Sequence, residues 1–258
     1  MNAQTFDRYL ERGGAVHRLD PRVKVLVVPA FILSLALLPD GRWLPLAAAF
    51  ALVMLAAMAA RISPLLVMRR SLIGLPFLAA AVTLLFTVPG RALWSGPWGV
   101  SISDAGLLRF SGIVARSLIS IQAAVLLTAT TRFPDILHAL RHLKVPAVLV
   151  SIIAFMYRYL FVLVDEAERL MRARASRSGR WPGLPGGGSV RWRAAVAGHM
   201  AGQLLVRSLD RSDRVYQAML ARGYRGEMPG MTPHRMRPVD WAALAGCLAA
   251  VAGLHLLV

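Results

Sequence analysis

Apolar runs dominate this chain, and their lengths set the first expectation. Residues 23–38, 43–60, 72–88, 113–130 and 241–258 are each almost wholly apolar and close to the ~20 residues a helix needs to cross a bilayer core. Five transmembrane helices are predicted. Some of these runs are short for the task, and Trp43, Trp94, Trp98 and Trp241, at or just beyond their ends, supply interfacial anchors of the kind short spans use. The first 20 residues, MNAQTFDRYLERGGAVHRLD, lack the apolar core of a signal peptide, so insertion is expected to rely on the spans themselves.

A sixth run resists this scheme. Residues 145–164, VPAVLVSIIAFMYRYLFVLV, are apolar for 20 positions, and hydropathy alone reads them as a span. Crossing there would strand the following 14 arginines on the far side unless a second crossing returned the chain. The only candidate, residues 194–206, carries His199 and Gln203. We therefore expect residues 145–164 to stay on the cytoplasmic side, with a seven-span arrangement as the alternative.

Past this run the pattern becomes that of long surface helices. RSGRWPGLPGGGSVRW, with Gly179, Pro182, Gly183, Pro185 and Gly186 to Gly188, breaks any helix. A helix over about 147–176 is predicted before it and another over about 193–221 after it. A shorter helix lies in TTRFPDILHALRHLKVP, with Thr130 or Thr131 as its cap and an end before Pro146. The expectation is an all-α integral membrane protein with about five transmembrane helices and three cytoplasmic ones, two of them long and arginine-tipped. Residues 1–130 would form a four-span bundle, 131–239 the cytoplasmic helices and 240–258 the closing span.

Composition agrees with a membrane protein. Of 258 residues 57% are hydrophobic, above the roughly 45–50% of soluble domains, and mean hydropathy is +0.56. The formal charge is nevertheless +17, carried by 28 Arg and only two Lys, Lys24 and Lys144. Arginine favours bidentate contact with carboxylate or phosphate, whereas a merely solvated surface could equally use lysine. With the N-terminus cytoplasmic, 26 of the 30 basic residues fall on the cytoplasmic side, leaving Arg42, Arg91, Arg109 and Arg116 outside or near it. This is the orientation the positive-inside rule favours, and the short loops agree with it.

Catalytic and metal signals are weak. The chain has no G-x-x-x-x-G-K-[ST], and neither lysine follows a glycine, so ATP hydrolysis by this chain alone is not expected. The lone Cys247 forms no disulfide or thiolate cage within the chain. His138 and His142, four apart on the short helix, have a metal-compatible spacing without an evident third ligand. Asp165, Glu166 and Glu168 precede Arg169 and Arg172 at distances that intrahelical pairing explains. Within the spans the ionisable residues are Lys24, Arg116 and His255, all near ends, so an ion path through this chain by itself is not expected.

The last long helix carries two stripes. Leu205, Leu209, Ser212, Tyr216 and Met219 are spaced to pack on one face. Arg207, Arg211 and Arg214 form a second stripe, with Asp210 four before Arg214 and placed to pair with it. The helix ends at Ala221-Arg222-Gly223, which reads as a helix cap, with glycine in the left-handed conformation and a cation offsetting the macrodipole. On spacing alone the cap is the favoured interpretation, with a docking tip as the alternative.

Four stretches together resemble the transmembrane T component of energy-coupling factor importers, most closely the CbiQ group serving cobalt or nickel uptake. They are HRLDPRVKVL (17–26), TTRFPDILHALRHLKVP (130–146), YRYLFVLVDEAERLMRARASRSG (157–179) and RSLDRSDRVYQAMLARGY (207–224). The resemblance covers nearly the whole chain. It implies two Ala-Arg-Gly-type motifs at the ends of two coupling helices. Ala221, Arg222 and Gly223 match the second. For the first, Arg177 with Gly179 is the counterpart, separated by Ser178, and Arg174 is a rival one turn earlier. The resemblance further implies a non-catalytic coupling subunit in the cell's inner (plasma) membrane. Its partners would be two ABC-type ATPase subunits that bind ATP and Mg, a substrate-binding membrane S component (CbiM-like), a small accessory membrane subunit as an optional addition, and the lipid bilayer. It implies no cofactor, no metal and no nucleic acid of its own. The competing class is a membrane-anchored, arginine-rich protein that holds anionic lipid or nucleic acid. Absence of interleaved aromatics and the gathering of arginines at two helix ends favour docking over it.

Overall fold

The computed structural model describes residues 9–10, 13–74, 76, 79, 81–95, 101–177, 189–226 and 236–256. In order they form α1 (Pro21–Leu37), α2 (Trp43–Ala59), α3 (Pro64–Ser71), α4 (Leu84–Thr87), β1 (Ala92–Ser95), β2 (Ser101–Ser103), α5 (Asp104–Thr130), α6 (Phe133–His142), α7 (Ala147–Arg177), α8 (Val190–Ala221) and α9 (Pro238–Leu256). Short 3₁₀ turns occupy Ala15–Arg18 and Leu72–Gly74. Among the described residues the architecture is all-α as expected, relieved only by the antiparallel β1–β2 hairpin. It divides into two compact units, residues 1–143 with 232–258, and residues 144–231.

In the first unit, α1 packs against α5, α6 and α9, and α5 also receives α2, α3 and α4. Asp20 starts α1 by accepting the Arg22 N–H at 2.9 Å, with Pro21 in the first turn where its missing donor costs nothing. The main core joins Phe31, Leu35 and Leu38 to Leu46, Ala49 and Val53 of α2, Ile119 and Ala123 of α5, and Leu254 of α9. A second cluster gathers Ala57, Ala60, Ile62, Val67, Leu126 and Ala129. Small residues recur in both because membrane helices gain little from apolar burial among lipid tails and depend on close backbone approach. Gly14 belongs to this packing, since a Cβ there would lie 2.5 Å from the Ala60 carbonyl carbon. Leu33, Leu37, Leu44 and Leu55 point away from the cores, exposed as lipid-facing side chains are.

The expected spans correspond to α1, α2, α5 and α9. Helix α5 begins nine residues earlier than the run at 113, because Ser103 accepts the Gly106 N–H at 2.9 Å and caps a turn that hydropathy does not register. Arg109, on this extension, and Arg116, inside the expected run, pair with Asp40 at 3.7 and 2.7 Å. In the expected span at 72–88, the elements described are the Leu72–Gly74 turn and α4, and residues 75, 77, 78 and 80 lie outside the described ones. So do Trp98, residues 257–258, and 178–188, which hold the glycine-proline break. By length and composition α5, α7 and α9 suffice to cross a membrane, and α2 is a shorter apolar helix.

Neither threonine caps α6. Its N-cap is Arg132, without a side-chain cap bond; Thr130 instead donates back to the Leu126 carbonyl at 2.8 Å, and the buried Thr131 hydroxyl has no partner among the described residues.

The second unit is a pair of helices, α7 of 31 and α8 of 32 residues. Ser189 caps α8 by accepting the Trp192 N–H at 3.3 Å, and the helix starts at Val190, three residues before the expected 193. Within this unit the pair buries little: Val150 is the one buried residue on α7, and α8 has none.

Candidate functional site

The carboxyl end of α8 is closed by its backbone. Gly223, at φ +80°, donates to the Leu220 carbonyl at 2.9 Å, and Tyr224 donates to the Met219 carbonyl at 3.0 Å. These are the two bonds of a Schellman motif, with Arg222 in the C-cap position. The glycine therefore does what the capping interpretation requires. The Arg222 side chain takes no part: it is exposed and, among the described residues, makes no hydrogen bond or ion pair. Ala221, also exposed, leaves it unshielded.

At the other helix end Arg177 is the last residue of α7 and is likewise exposed. Arg174, one turn earlier, is half-buried and already engaged in an interaction of its own. Gly179 lies outside the described residues. Of the two rival arginines, Arg177 is the one presented outward.

The two ends are held apart by how the helices pair. Glu166 on α7 accepts from Arg169 three residues on, and from Arg207 on α8, each at 2.5 Å. From that tie the shared groove runs toward the start of α7, to Ile152, and toward the end of α8, to Met219 and Tyr224. The helices are therefore antiparallel. Eleven residues beyond the tie on α7 and fifteen on α8, at ~1.5 Å each, place Arg177 and Arg222 roughly 30–40 Å apart at opposite ends of the pair. Hydrogen bonding to Arg207, with the Arg169 charge adding, holds the Glu166 carboxyl below its ordinary range.

Glu168 pairs with Arg172 at 3.4 Å, as the intrahelical spacing predicts. The Glu166–Arg207 tie, 41 residues apart, leaves no signal in the sequence. Two expectations for α8 are corrected. Of the expected packing stripe, Ser212, Tyr216 and Met219 line the groove, whereas Leu205 and Leu209, 61% and 58% exposed, face away. The half-buried ridge runs through Leu204, Ser208, Arg211 and Val215 to Met219. Ser208 and Arg211 make the ridge partly polar, so a search for apolar periodicity settles on a stripe that shares only Met219 with it. Asp210 forms no ion pair with Arg214 among the described residues; instead Arg207 is the member of the arginine stripe that is paired.

The histidine pair has another occupant. The Arg22 guanidinium reaches His142 Nε2 at 3.1 Å and His138 Nε2 at 3.4 Å, a cation standing where a metal would bind. Among the described residues no group of three or more His, Cys, Asp or Glu could hold a metal ion. Arg22 belongs to a buried polar knot. Lys24 donates to the Thr130 carbonyl at 3.1 Å and interacts electrostatically with Asp135, Asp20 and Asp240. Asp240 accepts the Asp20 N–H at 3.0 Å and the Arg237 N–H at 2.8 Å. The knot ties α1, α5, α6 and α9 together. The described residues thus combine a close-packed apolar bundle with two outward arginines on a paired helix unit.

Comparison with known proteins agrees. Residues 14–233 match the CbiQ family, described as cobalt transport protein. The chain is 28% identical to the energy-coupling factor transporter transmembrane protein EcfT of Thermosediminibacter oceani, across 94% of this chain and 93% of that one. It is 30% identical to EcfT of Heliobacterium modesticaldum, across 98% and 96%. The cobalt transport protein CbiQ of Rhodobacter capsulatus is 32% identical over 52% of each chain. With the family matched over most of its length, the chain belongs to the CbiQ/EcfT family of transmembrane T components of energy-coupling factor transporters.

Proposed function

We propose that this chain transmits the conformational change of two ABC-type ATPase subunits to a separate substrate-binding membrane protein, in the uptake of cobalt or nickel ions. The observation that carries the reading is the pair of exposed arginines, Arg177 and Arg222, at the opposite ends of one antiparallel helix pair. Two guanidinium forks ~30–40 Å apart suit a partner that offers two equivalent acidic grooves, as a pair of ATPases does. A rigid helix behind each fork turns opening or closing of that pair into a change of angle between α7 and α8. Leu205 and Leu209, exposed and apolar, offer a surface for the substrate-binding component. ATP and Mg are then bound and used by the partners.

On this reading the N-terminus and α6 to α8 lie on the cytoplasmic side of the inner membrane. Residues 131–239 form the coupling region between the four-span segment 1–130 and the closing span 240–258. Ion choice belongs to the partner, since the His138 and His142 ring nitrogens already face Arg22. Isolation in mild detergent tests the assignment: two ATPase subunits and one substrate-binding membrane protein should copurify. Replacing both histidines by Gln should leave the cobalt-to-nickel preference of the assembly unchanged. Purification as a solitary chain that binds RNA and no ATPase subunit would sink the reading.

A further inference from the structure

The groove between α7 and α8 has a volume of about 420 Å³, within the ~300–1,000 Å³ of small-molecule sites. Its two ends differ chemically. Near the Glu166–Arg207 tie it is lined by Arg211 and Ser212, and at the far end by Ile152, Phe155, Val215 and Met219. The Glu166 carboxylate is taken up by Arg169 and Arg207. Arg211, half-buried in the groove wall, has no ion-pair or hydrogen-bond partner among the described residues. Partial desolvation of a guanidinium is costly unless an anion meets it. From Glu166 to Ile152 the groove extends ~21 Å, comfortably more than one leaflet of a ~30 Å hydrocarbon core. A charged head site at one end and an apolar channel leading from it match the two parts of an amphiphile.

We infer that this groove binds one anionic phospholipid, with its phosphodiester on Arg211 and an acyl chain along the apolar channel. The apolar run of α7, residues 145–164, brings the groove to the bilayer, and an unpaired guanidinium favours a headgroup of net negative charge over a zwitterionic one, whose own cation offsets the same phosphate. The inference stands independently of the importer reading, because it concerns the full chain in a membrane with or without partners.

The test uses the full chain in phosphatidylcholine nanodiscs, with Phe155→Trp as a reporter at the apolar end of the groove. Its emission, taken as the increment over the native tryptophans, is quenched by lipid whose acyl chains are brominated. At equal minor fractions, brominated phosphatidylglycerol should quench roughly threefold to tenfold more efficiently than brominated phosphatidylcholine, the range expected of one partly solvated charge-assisted contact. Arg211→Gln should equalise the two lipids, and Arg211→Lys should keep part of the preference. Arg214→Gln, on an exposed residue outside the groove lining, should keep all of it. Equal quenching by both lipids in the otherwise native protein would overturn the proposal, as would loss of the preference in Arg214→Gln, which would mean a diffuse basic surface. Displacement of the brominated lipid by added inorganic phosphate would make this a small-anion site and overturn it as well.

Discussion

Arg222 separates capping from docking because the two roles fall on different atoms. The Schellman bonds use the backbone of Gly223 and Tyr224, so helix closure asks nothing of the Arg222 side chain beyond its charge. Arg222→Ala should therefore cost under about 1 kcal/mol of helix stability, and Gly223→Ala more, because φ +80° strains any residue with a Cβ. If the side chain docks in an ATPase groove, truncation should weaken association by roughly 2–5 kcal/mol. Lysine should rescue poorly for want of a bidentate fork, and Glu should be worst. Pull-down of the ATPases at matched membrane levels checks the order Glu, Ala, Lys. Normal association and uptake in Arg222→Glu would reduce the motif to a helix cap. The sequence displayed this motif plainly, since a Gly at C′ and an arginine before it are local signals. It could not display the choice between Arg174 and Arg177, which depends on how far each side chain stands out from α7.

Among the elements, spans were legible where burial is by length and illegible where polar groups intervene. Helices α1, α2 and α9 fall within a few residues of the apolar runs, but α5 starts earlier, at the Ser103 cap, on an extension that carries Arg109, whose charge Asp40 meets at 3.7 Å. The inward face of α8 was hidden for the related reason that Ser208 and Arg211 line it. The α7–α8 tie gives a prediction at this scale. The Glu166 carboxyl is held low in the folded protein by Arg207 and Arg169, so its contribution is complete above the ordinary carboxylate range near ~4.3. It is lost as pH falls through the depressed folded value. Between pH 5 and 8 the splay of the pair should be insensitive to this group, and it should loosen only once the pH falls below the ordinary carboxylate range. Spin labels replacing Leu163 and Ser208 would report the distance. Glu166→Gln should show the acid-form distribution already at pH 7, and an unchanged distribution in that variant would remove the tie as a determinant of helix angle.

For the whole molecule, the least legible feature was the side of the membrane on which the long helices lie, since α7 satisfies the length and composition of a span while its sequel carries 14 arginines. With five spans, a cysteine at Ser189 should resist an impermeant thiol reagent in intact cells, whereas one on a tail after Val258 should react, both on a Cys247→Ala background. Labelling at Ser189 would favour the seven-span arrangement.

The spacing of the two arginines makes a further demand, because a pair of ATPases gripping both ends of one helix unit is bivalent. Loss of either end converts tight two-point attachment into single-point attachment, a fall of ~10²–10⁴ in avidity with no other contact changed. Arg177→Glu and Arg222→Glu should therefore each weaken association by a similar large factor. Raising the ATPase concentration should recover either single variant, through the end left intact, but not the double variant. Arg174→Glu should behave nearly as wild type in this assay, because Arg174 is half-buried and already engaged. If Arg174→Glu proved as damaging as Arg222→Glu while Arg177→Glu was silent, the first docking point would move one turn back along α7. If both were silent, attachment would be single-ended, and a change of angle between α7 and α8 could not be the stroke that reaches the substrate-binding partner.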